Sequence, residues 1–121
     1  MDFYEGQPIY VQMAERLCDE ILAGRYVADG RVPGVRDYAA LLEVNVNTAV
    51  RSYDLLSRRG IIRQRRGQGY FVCPEAVALI GEERRERFRS FIMPDFFRHM
   101  RQLGVTIEEV DAAWRQSAEE E

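Results

Sequence analysis

The side chains best suited to chemistry with a polyanion lie between residues 45 and 66. The stretch "NVNTAVRSYDLLSRRG", residues 45 to 60, winds as a helix of 3.6 residues per turn with Ala49, Tyr53 and Leu56 on one side. Asn47, Arg51, Asp54 and Arg58 fall on the other side, and "RRGQGYF" follows soon after. From residue 51 to residue 66 there are six arginines and one aspartate, a local charge of +5. The major groove of B-form DNA admits one α-helix. There Asn can pair with adenine, Arg with guanine, and Thr can touch a thymine methyl. The start of this helix offers Asn45, Asn47, Thr48 and Arg51 for that purpose. The alternative is a solvated helix face with an Asp54–Arg58 pair at i, i+4.

What must aim these residues is a set of short elements. Ile9, Met13, Leu17 and Ile21 repeat at four-residue steps and predict a first helix from about Pro8 to Leu22. "RYVADGRVP" reads as a short extended piece with a turn at Asp29-Gly30. Pro33-Gly34 opens a second helix, about Val35 to Leu42, with Val35, Ala39 and Leu42 inward. Asn45 is a good N-cap for a third helix, which runs to about Arg59 and is stopped by Gly60. So short a connection makes the second and third helices cross steeply, the helix-turn-helix arrangement. Ile61-Ile62 and Tyr70 to Val72 then predict two strands joined by Gly67-Gln68-Gly69, a hairpin wing.

The wing arginines Arg63, Arg65 and Arg66 have two readings. They could solubilise an exposed hairpin, or Arg66 beside Gly67 could enter a narrow minor groove, where the negative potential is enhanced. Tyr70 and Phe71 are expected to pack the hairpin on the helices. Arg36 lies in the first turn of the second helix, where the helix dipole disfavours a cation. It is either a plain surface charge or one compensated by a phosphate.

Residues 75–121 change character. Phe88, Ile92, Phe96 and Leu103 lie on or near one helical stripe, which Phe91, Phe97 and Met100 widen as far as Gly104. Pro94 predicts a kink or a break, because it removes a hydrogen bond and disfavours helix at Met93. In "VTIEEV", Thr106 is an N-cap, Glu109 its capping-box partner, and Val105 with Val110 the staple. The last helix is expected to reach about Ser117 with Val110 and Trp114 inward. Each buried Phe removes roughly 150–250 Å² from water, and a patch of that size left bare invites aggregation. Two copies packing through Phe88, Phe91, Ile92, Phe96, Phe97, Met100, Leu103 and Trp114 would cover it. They would also supply the two-fold symmetry of a palindromic DNA site.

The 121 residues divide into an expected winged helix-turn-helix domain, 1–74, and a helical dimerisation extension, 75–121. The fold class is mainly α with a small β-hairpin, an α+β arrangement. The net charge of −3 is unevenly spread: residues 1–74 carry ten Arg against nine acids, and 75–121 carry seven against eleven. Every basic residue is Arg. No apolar run approaches the ~18 residues needed to span a bilayer, and the N-terminus is acidic where a secretory signal is basic. These features predict a cytoplasmic protein with no membrane partner. Cys18 and Cys73 lie 55 residues apart without metal-ligand spacing and read as ordinary thiols. His99 reads as a packed or rim histidine, the other reading being a metal or effector ligand. There is no nucleophile–base constellation and no phosphate-cradling loop before a helix, so neither an enzyme nor a cofactor is expected.

The runs "IYVQ", "VPGVRDYA", "VNVNTAVRSY" and "RRGQGYFV" lie within residues 8–72. Through them this stretch resembles the winged helix-turn-helix domain of the GntR family of bacterial transcription regulators. It implies DNA contacts at Arg36, Asn45, Val46, Asn47, Thr48, Arg51, Arg66 and Gly67, to which the wing reading adds Arg65. Gly34 replaces a usual Ser and loses a side-chain cap, and Val46 replaces a Pro or polar residue. The short two-helix extension is similar to the YtrA-like subfamily, which implies a compact dimeric repressor of its own or a transporter operon. About 45 residues of extension leave little room within one chain for a pocket of ~300 Å³. A small-molecule effector would then need a cleft between subunits. The competing reading is a winged-helix adaptor that binds protein rather than DNA.

Overall fold

The computed structural model describes residues 3–120, which form two units. One runs to Glu82 and the other begins at Glu83. In the first, α1 (Ile9–Leu22), α2 (Val35–Leu42) and α3 (Val46–Arg58) precede an antiparallel hairpin of β1 (Ile62–Arg65) and β2 (Gly69–Val72). Ile62 pairs with Val72 and Arg65 with Gly69. The stretch before α2 joins the hairpin as a third short edge. Arg31 bridges to Phe71, Asp29 N–H donates to Val72 O, and Val32 N–H donates to Tyr70 O. Helix-turn-helix plus wing is therefore the architecture, as the periodicity predicts.

The apolar stripes explain it. Met13, Leu17 and Ile21 of α1, Ala39 and Leu42 of α2, and Ala49, Tyr53 and Leu56 of α3 are all buried. Burying one such aliphatic side chain stabilises by roughly 1.5–3 kcal/mol. Ile61, Ile62 and Val72 seat the wing on this core. Ile9, expected on the α1 stripe, is exposed, because it stands at the first residue of the helix, at the edge of the core. Tyr38 and Tyr53 add two large rings 6.1 Å apart, with polar ends that find partners. Tyr38 Oη donates to Glu20 Oε1 at 2.8 Å, and Tyr53 Oη donates to the Pro33 carbonyl at 2.6 Å. The second bond ties α3 to the loop that starts α2.

The helix ends follow local chemistry. Asn45 is the N-cap of α3, its side chain accepting from Asn47 N–H at 2.8 Å. Gly34 precedes α2 with no side-chain cap, the expected consequence of having no hydroxyl there. Between the two helices Glu43 takes a left-handed conformation, φ 58°, which turns the chain within three residues.

A fourth helix, α4 (Ala76–Arg87), buries Ala76 and Ile80 in the core of the first unit. Packing thus carries this unit eight residues past the expected boundary at 74, since a helix can belong to the core of the domain it follows. In the second unit a π-helical turn, Phe88–Ile92, leads into α5 (Met93–Leu103), and α6 (Ile107–Glu120) follows. The expected kink or break at Pro94 takes the form of that π turn. Met93 N–H donates to Phe88 O, five residues back, so the widened register absorbs the missing proline donor and its steric clash. Thr106 Oγ1 accepts from Glu109 N–H at 3.3 Å, half of the predicted capping box. α6 extends to Glu120 rather than Ser117.

Candidate nucleic-acid interface

The first two turns of α3 carry the polar face. Asn45, Asn47 and Arg51 are exposed and Thr48 is half-buried. Val46, implied as a DNA contact, is half-buried, with part of its side chain packed against the core. Further along, Arg58 Nε donates to the Asp54 carbonyl at 3.4 Å, in place of the carboxylate pair the spacing suggested. At the end of the helix Arg59 bonds Glu15 of α1 at 3.1 Å, both side chains half-buried.

Arg51 has a partner that sequence spacing does not reveal. Its guanidinium carbon lies over the Tyr10 ring, 4.2 Å from the centroid. Arg51 and Tyr10 line a surface hollow together with Pro8, Ile9, Asn47 and Thr48, joining the start of α1 to the start of α3.

The wing arginines are not equivalent. Arg63 lies 3.1 Å from Asp29 Oδ1 and Arg65 lies 3.7 Å from the same oxygen. Arg65 also stacks on Phe71 at 4.1 Å, so Phe71 supports an arginine where the sequence suggested packing on the helices. Tyr70 does pack as expected, edge-on to Tyr53 at 5.0 Å. Burial first, then the Asp54 charge, pushes the Tyr70 hydroxyl above its ordinary value. Arg66, Gly67 and Gln68 form the exposed tip. Gly67 has φ 74°, a left-handed conformation that glycine adopts at no steric cost.

Arg31 is a cation that the motif reading missed. Its side chain crosses the root of the wing so closely that a Cβ at Gly69 would stand 3.1 Å from Arg31 Nε. The second glycine of Gly-Gln-Gly is the signal that could have found it. Arg36 is exposed in the first turn of α2 beside Asp37. The structure therefore gathers Asn45, Asn47, Thr48 and Arg51 on one helix end and Arg65, Arg66 and Gly67 in the wing. Arg36 belongs to the helix between the first and the third.

The second unit has a different character. Among the described residues no side chain of α5 or α6 is buried. Phe88, Phe91, Ile92, Phe96, Phe97 and Leu103 are all exposed, and Met100 is half-buried. Trp114, expected inward, is 72% exposed, because α5 and α6 are too short to enclose an indole by themselves. His99 is exposed, with Nε2 4.0 Å from Asp95 Oδ2, and Asp95 also pairs with Arg98. Among the described residues no group of His, Cys, Asp or Glu could hold a metal ion. No helix among them is long and apolar enough to cross a membrane.

A short helix-turn-helix with a polar second helix and a cationic hairpin behind it defines a winged-helix protein of the DNA-binding kind. The chain belongs to the GntR family of bacterial regulatory proteins, whose sequence pattern it matches over residues 9–72. It is 32% identical over 108 residues to YhcF of Bacillus subtilis, an uncharacterized HTH-type transcriptional regulator; the match covers 89% of this chain and 88% of that one. It is 30% identical over 82 residues to the HTH-type transcriptional repressor YtrA of the same species, covering 68% of this chain and 63% of that one. A crystal structure of a GntR-family transcriptional regulator from Bacteroides thetaiotaomicron is similar at a TM-score of 0.80 and 39% identity, covering 93% of this chain and 98% of that one. The chain is thus a transcription regulator with a DNA-binding helix-turn-helix, and its family is one of regulators, not enzymes.

Proposed function

We propose that the chain acts as a homodimeric repressor that binds a palindromic operator, each protomer reading one half-site. α3 lies in the major groove, with Asn47, Thr48 and Arg51 at base edges and Asn45 at its N-terminal end. The wing tip, Arg66 and Gly67, follows the adjacent minor groove, and Arg36 holds a phosphate. Arg65 contributes positive charge from the wing's side. The observation that carries this reading is the polar, cationic outer face of the first two turns of α3, beside an exposed glycine-arginine wing tip.

The homodimer is supported by the second unit, where Phe88, Phe91, Ile92, Phe96, Phe97, Met100, Leu103 and Trp114 present an apolar face that nothing in α5 or α6 buries. A second copy would cover it and set two α3 helices about one turn of DNA apart, ~34 Å or a multiple. The word repressor is supported by the likeness to YtrA, a repressor by name. The regulated genes would be its own operon or a transporter operon.

A duplex enriched from a random-sequence library by the full chain tests the reading. The expected product is an inverted repeat bound by two chains, with affinity that falls steeply as salt rises. Absence of binding to any duplex at low salt, with a stable dimer in solution, would favour a protein-binding adaptor. One chain per bound duplex would remove the homodimer.

A further inference from the structure

Arg51 is the cation best placed on α3 to meet a base, yet its guanidinium rests on a ring from another helix. Cζ lies 4.2 Å from the centroid of Tyr10, in the first turn of α1. Tyr10 is half-buried and Arg51 is exposed, so the ring is the fixed partner and the arginine the one being held. Asn47 and Thr48 line the same hollow.

The two uses of this arginine do not compete. A guanidinium is planar and carries five N–H donors, all in its plane. An aromatic ring below takes one face through its quadrupole. The edge stays available for two parallel bonds to the O6 and N7 of guanine. An arginine on a bare helix surface loses rotamer freedom when it docks. One already resting on a ring has less to lose, and a parallel stack would set its plane before DNA arrives.

We propose that Tyr10 is a specificity-determining positioning residue, which orients the Arg51 guanidinium so that its edge meets a base pair in the major groove. The inference rests on the reading of α3 as the base-reading helix. It separates two quantities that a plain structural role would move together, affinity for the cognate duplex and affinity for duplex of any sequence.

The test uses the full chain, the duplex that the wild-type protein enriches from a random library, and a scrambled duplex of the same composition. Tyr10→Phe keeps the ring and should keep the ratio of the two affinities. Tyr10→Leu keeps apolar bulk without a ring and should lower that ratio about three- to tenfold per half-site, with the scrambled duplex bound as before. In an Arg51→Ala background, Tyr10→Leu should cost nothing further. Equal weakening on both duplexes, or the same loss in the absence of Arg51, would overturn the proposal. So would an unchanged ratio in Tyr10→Leu. If Tyr10→Leu fails to fold by circular dichroism, Tyr10→Met supplies the ringless apolar variant. An Arg51→Ala protein that keeps the wild-type ratio removes the parent reading and this one with it. That outcome is visible separately, because the variant still has Tyr10.

Discussion

Arg36 occupies a position that the free protein does not favour, and this makes it a sharp probe. It lies in the first turn of α2, whose N-terminal end carries partial positive charge, and Gly34 offers no side-chain cap there. Arg36→Ala should therefore raise the melting temperature of the free protein by ~1–4 °C, since the charge–dipole repulsion is removed. On DNA the sign reverses. Each phosphate neutralised contributes about 0.9 to the slope of log affinity against log salt. Two protomers each losing one contact should make that slope shallower by ~1.8. Between about 50 and 200 mM salt, the wild type should then lose ~12-fold more affinity than the variant does. Fluorescence anisotropy with a labelled duplex at several salt concentrations measures both slopes, and a thermal melt measures the free protein. An unchanged slope would show that Arg36 holds no phosphate. A change of about 0.9 would mean that only one protomer engages, against the symmetric dimer. A lower melting temperature would make Arg36 a structural contact.

Asp29→Asn should release Arg63 and Arg65, which share one aspartate oxygen, and so tighten binding to random duplex severalfold with a steeper salt dependence. Asn tolerates the left-handed φ of 62° that Asp29 adopts, so loss of fold would refute this account of the residue's role. Asn45→Ala removes the side-chain acceptor for Asn47 N–H and should cost ~1 kcal/mol in denaturant unfolding, while Asn45→Ser should restore most of it. Equal stability of all three proteins would refute the cap. Tyr53 and Tyr38 have hydroxyls raised above the ordinary tyrosine value, burial being the first cause. The fold prefers their neutral form, so this part of the stability is whole below about pH 10 and is lost as pH rises through the folded values. Tyr53→Phe should lessen the fall in stability above pH 10 by up to ~1.4 kcal/mol per pH unit in alkaline denaturation curves, and an unchanged slope would contradict it.

The fold was legible wherever one helix face told the whole story. The bounds of α2 and the Asn45 cap follow from spacing and cap chemistry, which act within a few residues, whereas Gly69, expected in the wing's turn, is the first residue of β2. Four features were not legible in this way. The Tyr10–Arg51 stack joins residues in α1 and α3, and Asp29 reaches Arg63 and Arg65 across the wing. Periodicity says which side of an element faces in, but not which outward side chain meets another. At Pro94 the sequence located the disturbance but not its form, because a proline lesion can be met by bending or by shifting the hydrogen-bond register, as at Met93. Trp114 failed as an inward residue for a related reason. An amphipathic stripe states that an apolar partner exists without stating that it lies in the same chain.

The arginines around the candidate interface differ in how they are held, and that difference bears on what each can do. Arg51 is stacked on Tyr10, Arg65 on Phe71, and Arg63 is paired with Asp29. Arg36 and Arg66 extend into solvent from a helix start and a wing tip. A phosphate can be met by any nearby cation, because the attraction is long-ranged and insensitive to orientation. A base edge demands a fixed plane, since two parallel hydrogen bonds form only in one geometry. Within the proposed function, Arg36 and Arg66 are thus suited to register and affinity, and Arg51 to discrimination. Asp29 holds the wing's remaining charge in check. That restraint matters in a regulator that must leave the great excess of non-cognate DNA, because sequence-independent affinity grows with every unrestrained cation.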